Sequence, residues 1–206
     1  MTVSPAKENI LKKIRKALSN PAPLPFIDSE GNNSVFQPAA DELEITFAQE
    51  FTKLQGRFAF CIDEKDMQEQ LQQLIAEKQW TKIYCNEDKW NDAFSNTINL
   101  ESSDAAVTGC EFLVARTGSI VMSAAQQSGR TTSVYAPVHI CIAYTDQLVY
   151  DIKEALQLLK EKYQNNIPSL ITFATGPSRT ADIEKTLVVG VHGPKEVYLF
   201  LIDKSS

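Results

Sequence analysis

The stretch RFAFCIDEKDMQEQLQQLIAEKQWTKIYC, residues 57–85, decides the fold that the sequence predicts. Its first residues, Arg57–Ile62, form a short apolar run that is typical of a buried strand. Apolar residues then recur at helical spacing at Met67, Leu71, Leu74 and Ile75. Thr81–Cys85 is a second short apolar run, and a strand, a helix and a strand in succession are typical of a crossover unit in a parallel sheet.

The same alternation extends on both sides of this unit. Residues 43–54 have helical apolar spacing, and Asp151–Tyr163 predicts another helix. Four further apolar runs predict strands: Phe112–Ala115, Ile120–Ser123, Val134–Tyr135 and Val138–Tyr144. The first two flank a Thr-Gly turn, which favours an antiparallel hairpin. The sequence therefore predicts an α/β fold with a mainly parallel sheet and a hairpin or meander inserted beside it.

Composition limits the classes of protein to consider. The 206 residues are 43% hydrophobic and 22% charged, which is ordinary for a globular protein. The formal net charge of −6 argues against nucleic acid as the main partner, because phosphate backbones attract clustered cations. No apolar run approaches the length of a membrane span, and the start Met1–Pro5 lacks the apolar core of a secretory signal. We therefore expect a cytoplasmic protein.

The N-terminal region predicts a separate arm. Ser4 and Pro5 suit the start of a helix, and the following residues up to Leu18 combine an apolar stripe with a basic face. Such a helix can dock on a membrane surface or a partner, or pack on its own or a neighbouring subunit, which we favour. The proline-rich Asn20–Pro25 then forces an extended connection. We expect an arm and linker over residues 1–27 and an α/β domain over residues 28–206.

Cysteine and histidine are sparse. Four cysteines lie at least 24 residues apart, at Cys61, Cys85, Cys110 and Cys141, and the only histidines are His139 and His192. These spacings do not support an iron–sulfur cluster or a structural zinc site. We therefore predict small buried thiols and no metal ligands. Sequence motifs for nucleotide-binding loops and for nucleophilic hydrolases are also absent.

Residues that could form a binding site are concentrated at Gly176–Glu184. This segment lies between the apolar runs Leu170–Ala174 and Val197–Ile202. A Gly-Pro turn permits a tight bend, and Ser178 or Thr180 could cap a short helix after it. Arg179 supplies a planar donor fork for a carboxylate or phosphate. The alternative is a capped helix with a surface arginine.

Both histidines are candidates for acid–base chemistry. His192 lies in the bend Gly190–Pro194, whose two glycines indicate a backbone held close to a neighbour such as the Gly176 turn. It could act as a general base, or simply bond to backbone carbonyls. His139 falls on the same strand face as Cys141 and Ala143, where a hydrogen-bonded core histidine is the alternative.

Weaker signals come from the Thr117-Gly118-Ser119 turn and from Arg130. The turn could offer N–H and hydroxyl groups to a ligand, or do no more than reverse the chain. Arg130 could face an anion, or be an ordinary surface residue.

Together these segments resemble the LUD-domain family. The resemblance rests on about the last hundred residues and on these motifs: Ala115 with Thr117–Ser119, Gly129-Arg130, Pro137–Ile140, Gly176–Glu184 and Gly190–Pro194. One departure is Arg116, where the family pattern has an acidic residue.

The resemblance implies a three-layer α/β/α fold like the NagB/ribose-phosphate isomerase/CoA-transferase group. It also implies a role in oxidising L-lactate to pyruvate beside two iron–sulfur proteins, with the clusters in those partners and none in this chain. On motif position, we expect His192 and His139 to be catalytic. We expect a small anion to be bound by Thr117, Gly118, Ser119, Arg130, Gly176, Ser178, Arg179, Thr180 and Glu184. A free-standing enzyme on a phosphorylated or acyl substrate, a purely structural or regulatory subunit, and a homo-oligomer remain open.

Overall fold

The computed structural model describes residues 42–91, 93–183 and 186–204, together with residues 8, 9, 12, 13, 15 and 16. The chain divides into two units, residues 1–38 and 39–206. The described residues of the first unit are helical, with exposed side chains. Most of the predicted arm and linker lies outside the described residues.

The second unit alternates helices and strands. Its helices are α1 (Leu43–Lys53), α2 (Glu64–Lys78), α3 (Thr132–Tyr135) and α4 (Ile152–Tyr163). Its strands are β1 (Arg57–Cys61), β2 (Ile83–Cys85), β3 (Ala105–Thr108), β4 (Phe112–Val114), β5 (Ser119–Ser123), β6 (Val138–Tyr144), β7 (Leu148–Val149), β8 (Ile171–Ala174), β9 (Arg179–Ile183), β10 (Thr186–Val189) and β11 (Glu196–Ile202). Aspartates cap two helices: the side chain of Asp63 accepts from the Asp66 amide at α2, and that of Asp151 accepts from the Lys153 amide at α4.

The central sheet has five strands in the order β1-β11-β6-β3-β2, and every pair is parallel. A second sheet has the order β7-β4-β5-β8, in which β4 and β5 form the predicted antiparallel hairpin. The α/β fold class, with a mainly parallel sheet and an antiparallel hairpin, is therefore confirmed.

Alternation along β6 places its side chains in two different parts of the core. Cys141 and Ala143 pack in a cluster with α1 and with the hairpin strands of the second sheet. Ile140 and Ile142 face the opposite way, in the cluster that includes Met67 and Leu71 of α2. A third cluster lies between the second sheet and α4. His139 is on the side of Cys141, as predicted, and so points towards the space between the two sheets.

Two local predictions are wrong. The residues after the Gly176 turn do not begin a helix; Arg179–Ile183 forms β9, which pairs antiparallel with β10. The hydroxyl and acidic residues that indicated a helix start are overridden by strand pairing, which joins Thr180 to Val188 and Arg179 to Val189. Val134–Tyr135 belongs to the short helix α3 rather than to a strand.

Within the described residues, no helix combines the length and apolar character needed to cross a membrane.

Candidate active site

The two glycine-containing bends of the sequence meet in space. The Ser178 amide donates to the Pro194 carbonyl at 2.9 Å, and the Ser178 carbonyl accepts from the Gly190 amide, also at 2.9 Å. A Cβ on Gly193 would lie only 2.9 Å from the Ser178 Cβ, so the close approach needs a glycine there. The Lys195 amide in turn donates to the Pro137 carbonyl at 2.8 Å, at the start of β6. The expected contact between the two bends is confirmed.

These bends close a cavity of about 150 Å³ between the two sheets. Its polar lining comes from His139, Ser178, His192, Ser133 and Thr172. Its apolar lining comes from Met122, Val134, Ala174, Pro194 and Val197, and Gly176 and Gly193 complete the wall. We call it the inner cavity. Since pockets for drug-sized ligands span about 300–1,000 Å³, this one suits a molecule of three or four carbons.

An outer groove of about 670 Å³ adjoins the inner cavity. Glu101, Tyr135 and Lys195 line it, and His192 and Gly193 line both spaces. The exposed His192 therefore lies where the groove meets the inner cavity.

The His139 ring is held in place by a buried hydrogen bond. Its side chain is 1% exposed, and its Nε2 lies 2.8 Å from Oγ1 of the buried Thr108 on the neighbouring strand β3. Burial lowers the pKa of His139 from 6.5 to about 4. The ring is therefore neutral at pH 7. His139 is a hydrogen-bonded core histidine and also part of the cavity wall.

The Thr117–Ser119 turn lies outside the lining of both spaces. Gly118 has a φ of 58°, and an added Cβ would lie 2.6 Å from the Phe51 amide of α1, so this glycine serves packing. The hydroxyls of Thr117, Ser119 and Thr175 form a chain with spacings of 2.7 and 2.8 Å.

Arg116, the departure from the family pattern, has a structural partner. Its Nε donates to the Asp151 carboxylate at 2.7 Å. Asp151 is the N-cap of α4, and its pKa is lowered first by the hydrogen bond from the Lys153 amide and further by Arg116.

Neither predicted arginine lines the inner cavity or the outer groove. Arg179 Nη2 donates to the Leu54 carbonyl at the end of α1, at 2.6 Å. Gly176 lies against the same carbonyl, since a Cβ there would be 2.7 Å from it. Arg130 donates to the Ser169 hydroxyl. Cations at a helix C-terminus are stabilising, so Arg179 acts on α1 in this structure rather than on the cavity.

The structure thus brings together four of the predicted site residues: His139, Gly176, Ser178 and His192. Thr180 pairs with Val188 in the β9–β10 hairpin, and Glu184 lies outside the described residues. Sequence reasoning missed Thr108, Ser133 and Thr172. Alternation could place Thr108 on a face of β3, but no local signal shows that β3 lies beside β6.

In the part of the chain that the structure describes, no three His, Cys, Asp or Glu side chains are arranged to hold a metal ion. All four cysteines are free and buried. Burial raises the pKa of Cys61 to about 12 and that of Cys85 to about 11, which disfavours the reactive thiolate.

Comparison with known proteins shows which family this α/β domain resembles. The family profile of the LUD domain matches residues 45–202, which include the whole inner cavity. An uncharacterised protein of Neisseria meningitidis is 32% identical over 115 residues, covering 56% of this chain and 47% of its own. Lactate utilization protein C of Bacillus licheniformis is 34% identical over 129 residues, covering 60% of this chain and 52% of its own. The chain thus spans about half the length of these curated relatives.

A solved structure supports the fold. The crystal structure of a DUF162 family protein from Deinococcus radiodurans superposes with a TM-score of 0.57 at 16% identity, covering 78% of this chain and 96% of that one. At this identity the likeness bears on the fold alone. The profile match spans more than half of the sequence and both sheets, and on that basis the chain belongs to the LUD domain family.

Proposed function

We propose that this chain works in lactate utilisation, as the subunit without iron–sulfur clusters in a system that oxidises L-lactate to pyruvate. The inner cavity is the proposed site for the small acid. The observation that carries the proposal is the meeting of His139, Ser178 and His192 around a cavity of about 150 Å³, in a domain whose relatives include several named lactate utilization protein C.

The size and lining of the inner cavity support a small acid. Lactate has six non-hydrogen atoms, and a molecule of that size fits a space of about 150 Å³. The histidines are the only ionisable groups in the described lining. Since burial lowers the pKa of His139 and keeps it neutral at pH 7, His192 is the lining histidine that is open to solvent.

The oxidation removes two electrons and two protons from L-lactate. The hydroxyl proton leaves through the outer groove, past the exposed His192 at its junction with the inner cavity. The two electrons would pass to the redox centres of partner subunits, which we propose to be iron–sulfur clusters, and the second proton, from C2, would be released to solvent. The role of this chain in the oxidation is to bind and orient the acid.

Growth on L-lactate tests the proposal. A strain that lacks this protein should fail to grow on L-lactate, and the wild-type gene should restore growth. His192→Ala should restore it poorly, because the variant removes the ionisable group at the mouth of the cavity. Arg130→Ala is the matched control, since it also removes a potential cation but lies outside the cavity, and it should restore growth fully.

Each contrary result has a definite meaning. Normal growth of the deletion strain contradicts the lactate role. Full rescue by His192→Ala contradicts the inner cavity as the working site and favours a structural or regulatory subunit. Turnover of a phosphorylated or acyl compound by the purified protein alone would favour a free-standing enzyme.

A further inference from the structure

The hydrogen bond between Thr108 and His139 has a chemical consequence for the inner cavity. Both side chains are buried, at 0% and 1% exposure, and the bond uses the Nε2 atom of the ring. In the described residues, no other hydrogen-bond partner is recorded for the His139 ring. Because the ring lines the inner cavity, Nδ1 is the nitrogen left for a ligand.

The neighbours of Thr108 indicate which nitrogen carries the proton. Thr108 lies opposite Cys141 in the register of β3 and β6, and both side chains are buried. If Nε2–H donates to the Thr108 hydroxyl oxygen, the Thr108 hydroxyl keeps its own hydrogen for another neighbour. The Nε2–H then has a buried acceptor at 2.8 Å.

The opposite tautomer is less well satisfied. With the proton on Nδ1, the Thr108 hydroxyl would donate to Nε2, and the Nδ1–H would have no acceptor among the described residues. Buried N–H donors without partners are rarer in proteins than buried acceptors without partners. The arrangement therefore favours a neutral ring with the proton on Nε2 and a lone pair on Nδ1.

We propose that Thr108 is a positioning residue that fixes this tautomer of His139, so that the inner cavity selects a 2-hydroxy acid over the corresponding 2-oxo acid. The proposal rests on the proposed function and adds the basis of its substrate preference. The hydroxyl at C2 donates a hydrogen bond to Nδ1. A ketone oxygen at the same place is a hydrogen-bond acceptor, as is Nδ1. The two atoms cannot bond to each other, and both are left without a donor.

This preference suits an enzyme system that must hold its substrate and release its product. An unsatisfied buried acceptor weakens binding, so we expect L-lactate to bind about tenfold or more tightly than pyruvate. Propionate, which has no oxygen at C2, leaves Nδ1 equally unpaired and should bind as weakly as pyruvate. His139 itself acts as an acceptor of a hydrogen bond and not as a store for the proton, because its pKa is about 4.

The first measurement is the tautomer itself, by ¹⁵N NMR of histidine-labelled full-length protein at pH 7. We expect His139 to show a protonated Nε2 and an unprotonated Nδ1. Thr108→Val removes the hydroxyl at constant shape and should produce a mixture of tautomers, whereas Thr108→Ser should restore the wild-type signals. Thr117→Val is the matched control, since it removes a hydroxyl outside the cavity, and it should leave the His139 signals unchanged.

The second measurement is calorimetric titration of the same proteins with L-lactate, pyruvate and propionate. Wild type and Thr108→Ser should prefer L-lactate, and Thr108→Val should bind the three acids alike. A protonated Nδ1, equal or tighter binding of pyruvate, or binding of neither acid by the wild type would each overturn the inference. The wild-type results decide this even if Thr108→Val does not fold. The deletion strain tests the lactate role independently.

Discussion

The amide of Ser178 donates to the carbonyl of Pro194 at 2.9 Å, and this bond joins the two motifs that mark the sequence most strongly. It places the Ser178 side chain against Gly193 and beside His192. The position of His192 at the mouth of the inner cavity therefore depends on the backbone contact between the two bends.

Gly193→Ala should disturb this junction. The new methyl group would lie 2.9 Å from the Ser178 Cβ, and overpacking of this kind costs about 1–3 kcal/mol in the free energy of unfolding. To relieve this contact the bend that carries His192 must move. Gly193→Ala should therefore also reduce the rescue of growth on L-lactate. Urea unfolding and the growth assay measure the two effects.

A double-mutant cycle isolates the contact. Ser178→Gly removes the Cβ that the new methyl group meets, so Gly193→Ala should cost less in the Ser178→Gly background than in the wild type. Strictly additive costs would show that the two residues do not interact through this contact.

Glu111 is a buried carboxylate that ties the second sheet to α4. It accepts hydrogen bonds from the Ser123 hydroxyl at 2.5 Å, the Tyr163 hydroxyl at 2.6 Å and the Lys162 ammonium at 2.7 Å. Burial raises the pKa of Glu111, but the three hydrogen bonds outweigh it, and the net pKa lies below the ordinary 4.5. A carboxyl whose pKa is lower in the folded state stabilises the fold above 4.5 and loses that contribution as pH falls through the folded pKa.

Glu111→Gln should therefore lower the free energy of unfolding by about 2 kcal/mol at pH 7, the scale of hydrogen bonds to a charged group. The difference from wild type should shrink as the pH falls below 4.5. Glu161→Gln, an exposed change on the same helix, is the control and should alter stability little. A constant difference from pH 7 to pH 3 would contradict this account of the carboxylate.

Periodicity of apolar residues was enough to predict the parallel sheet and the β4–β5 hairpin, since burial on one or both faces leaves its mark along each strand. It could not predict β9, because the cap-like Ser178 and Thr180 are local signals, whereas the pairing with β10 is a tertiary interaction. The histidines and Ser178 were visible as motif residues. Thr108 reaches His139 from 31 positions away, through a strand order that no local pattern reveals.

His139 should make the fold sensitive to mild acid. Its pKa is 6.5 in an exposed environment and about 4 when buried, so the unfolded chain binds a proton in this range that the folded chain does not. Stability must therefore fall as the pH drops from 6.5 towards 4. Between pH 7 and pH 5, wild type should lose about 2 kcal/mol more than His139→Gln. Urea unfolding at both pH values measures this, and parallel losses in the two proteins would show that His139 is not desolvated as described.

Arg179→Ala should act on stability and not on the acid site. Arg179 donates to the Leu54 carbonyl at the C-terminal end of α1, and loss of that bond should cost about 1 kcal/mol in the free energy of unfolding. Because Arg179 does not line the inner cavity, a variant that stays folded at the growth temperature should rescue growth on L-lactate and keep its affinity for the acid. Arg179→Lys should recover part of the stability, since a lysine can also donate to a helix C-terminus. A variant of unchanged stability that no longer binds L-lactate would instead place the guanidinium on the carboxylate, and would mean that the β9–β10 hairpin moves over the cavity when the acid is bound.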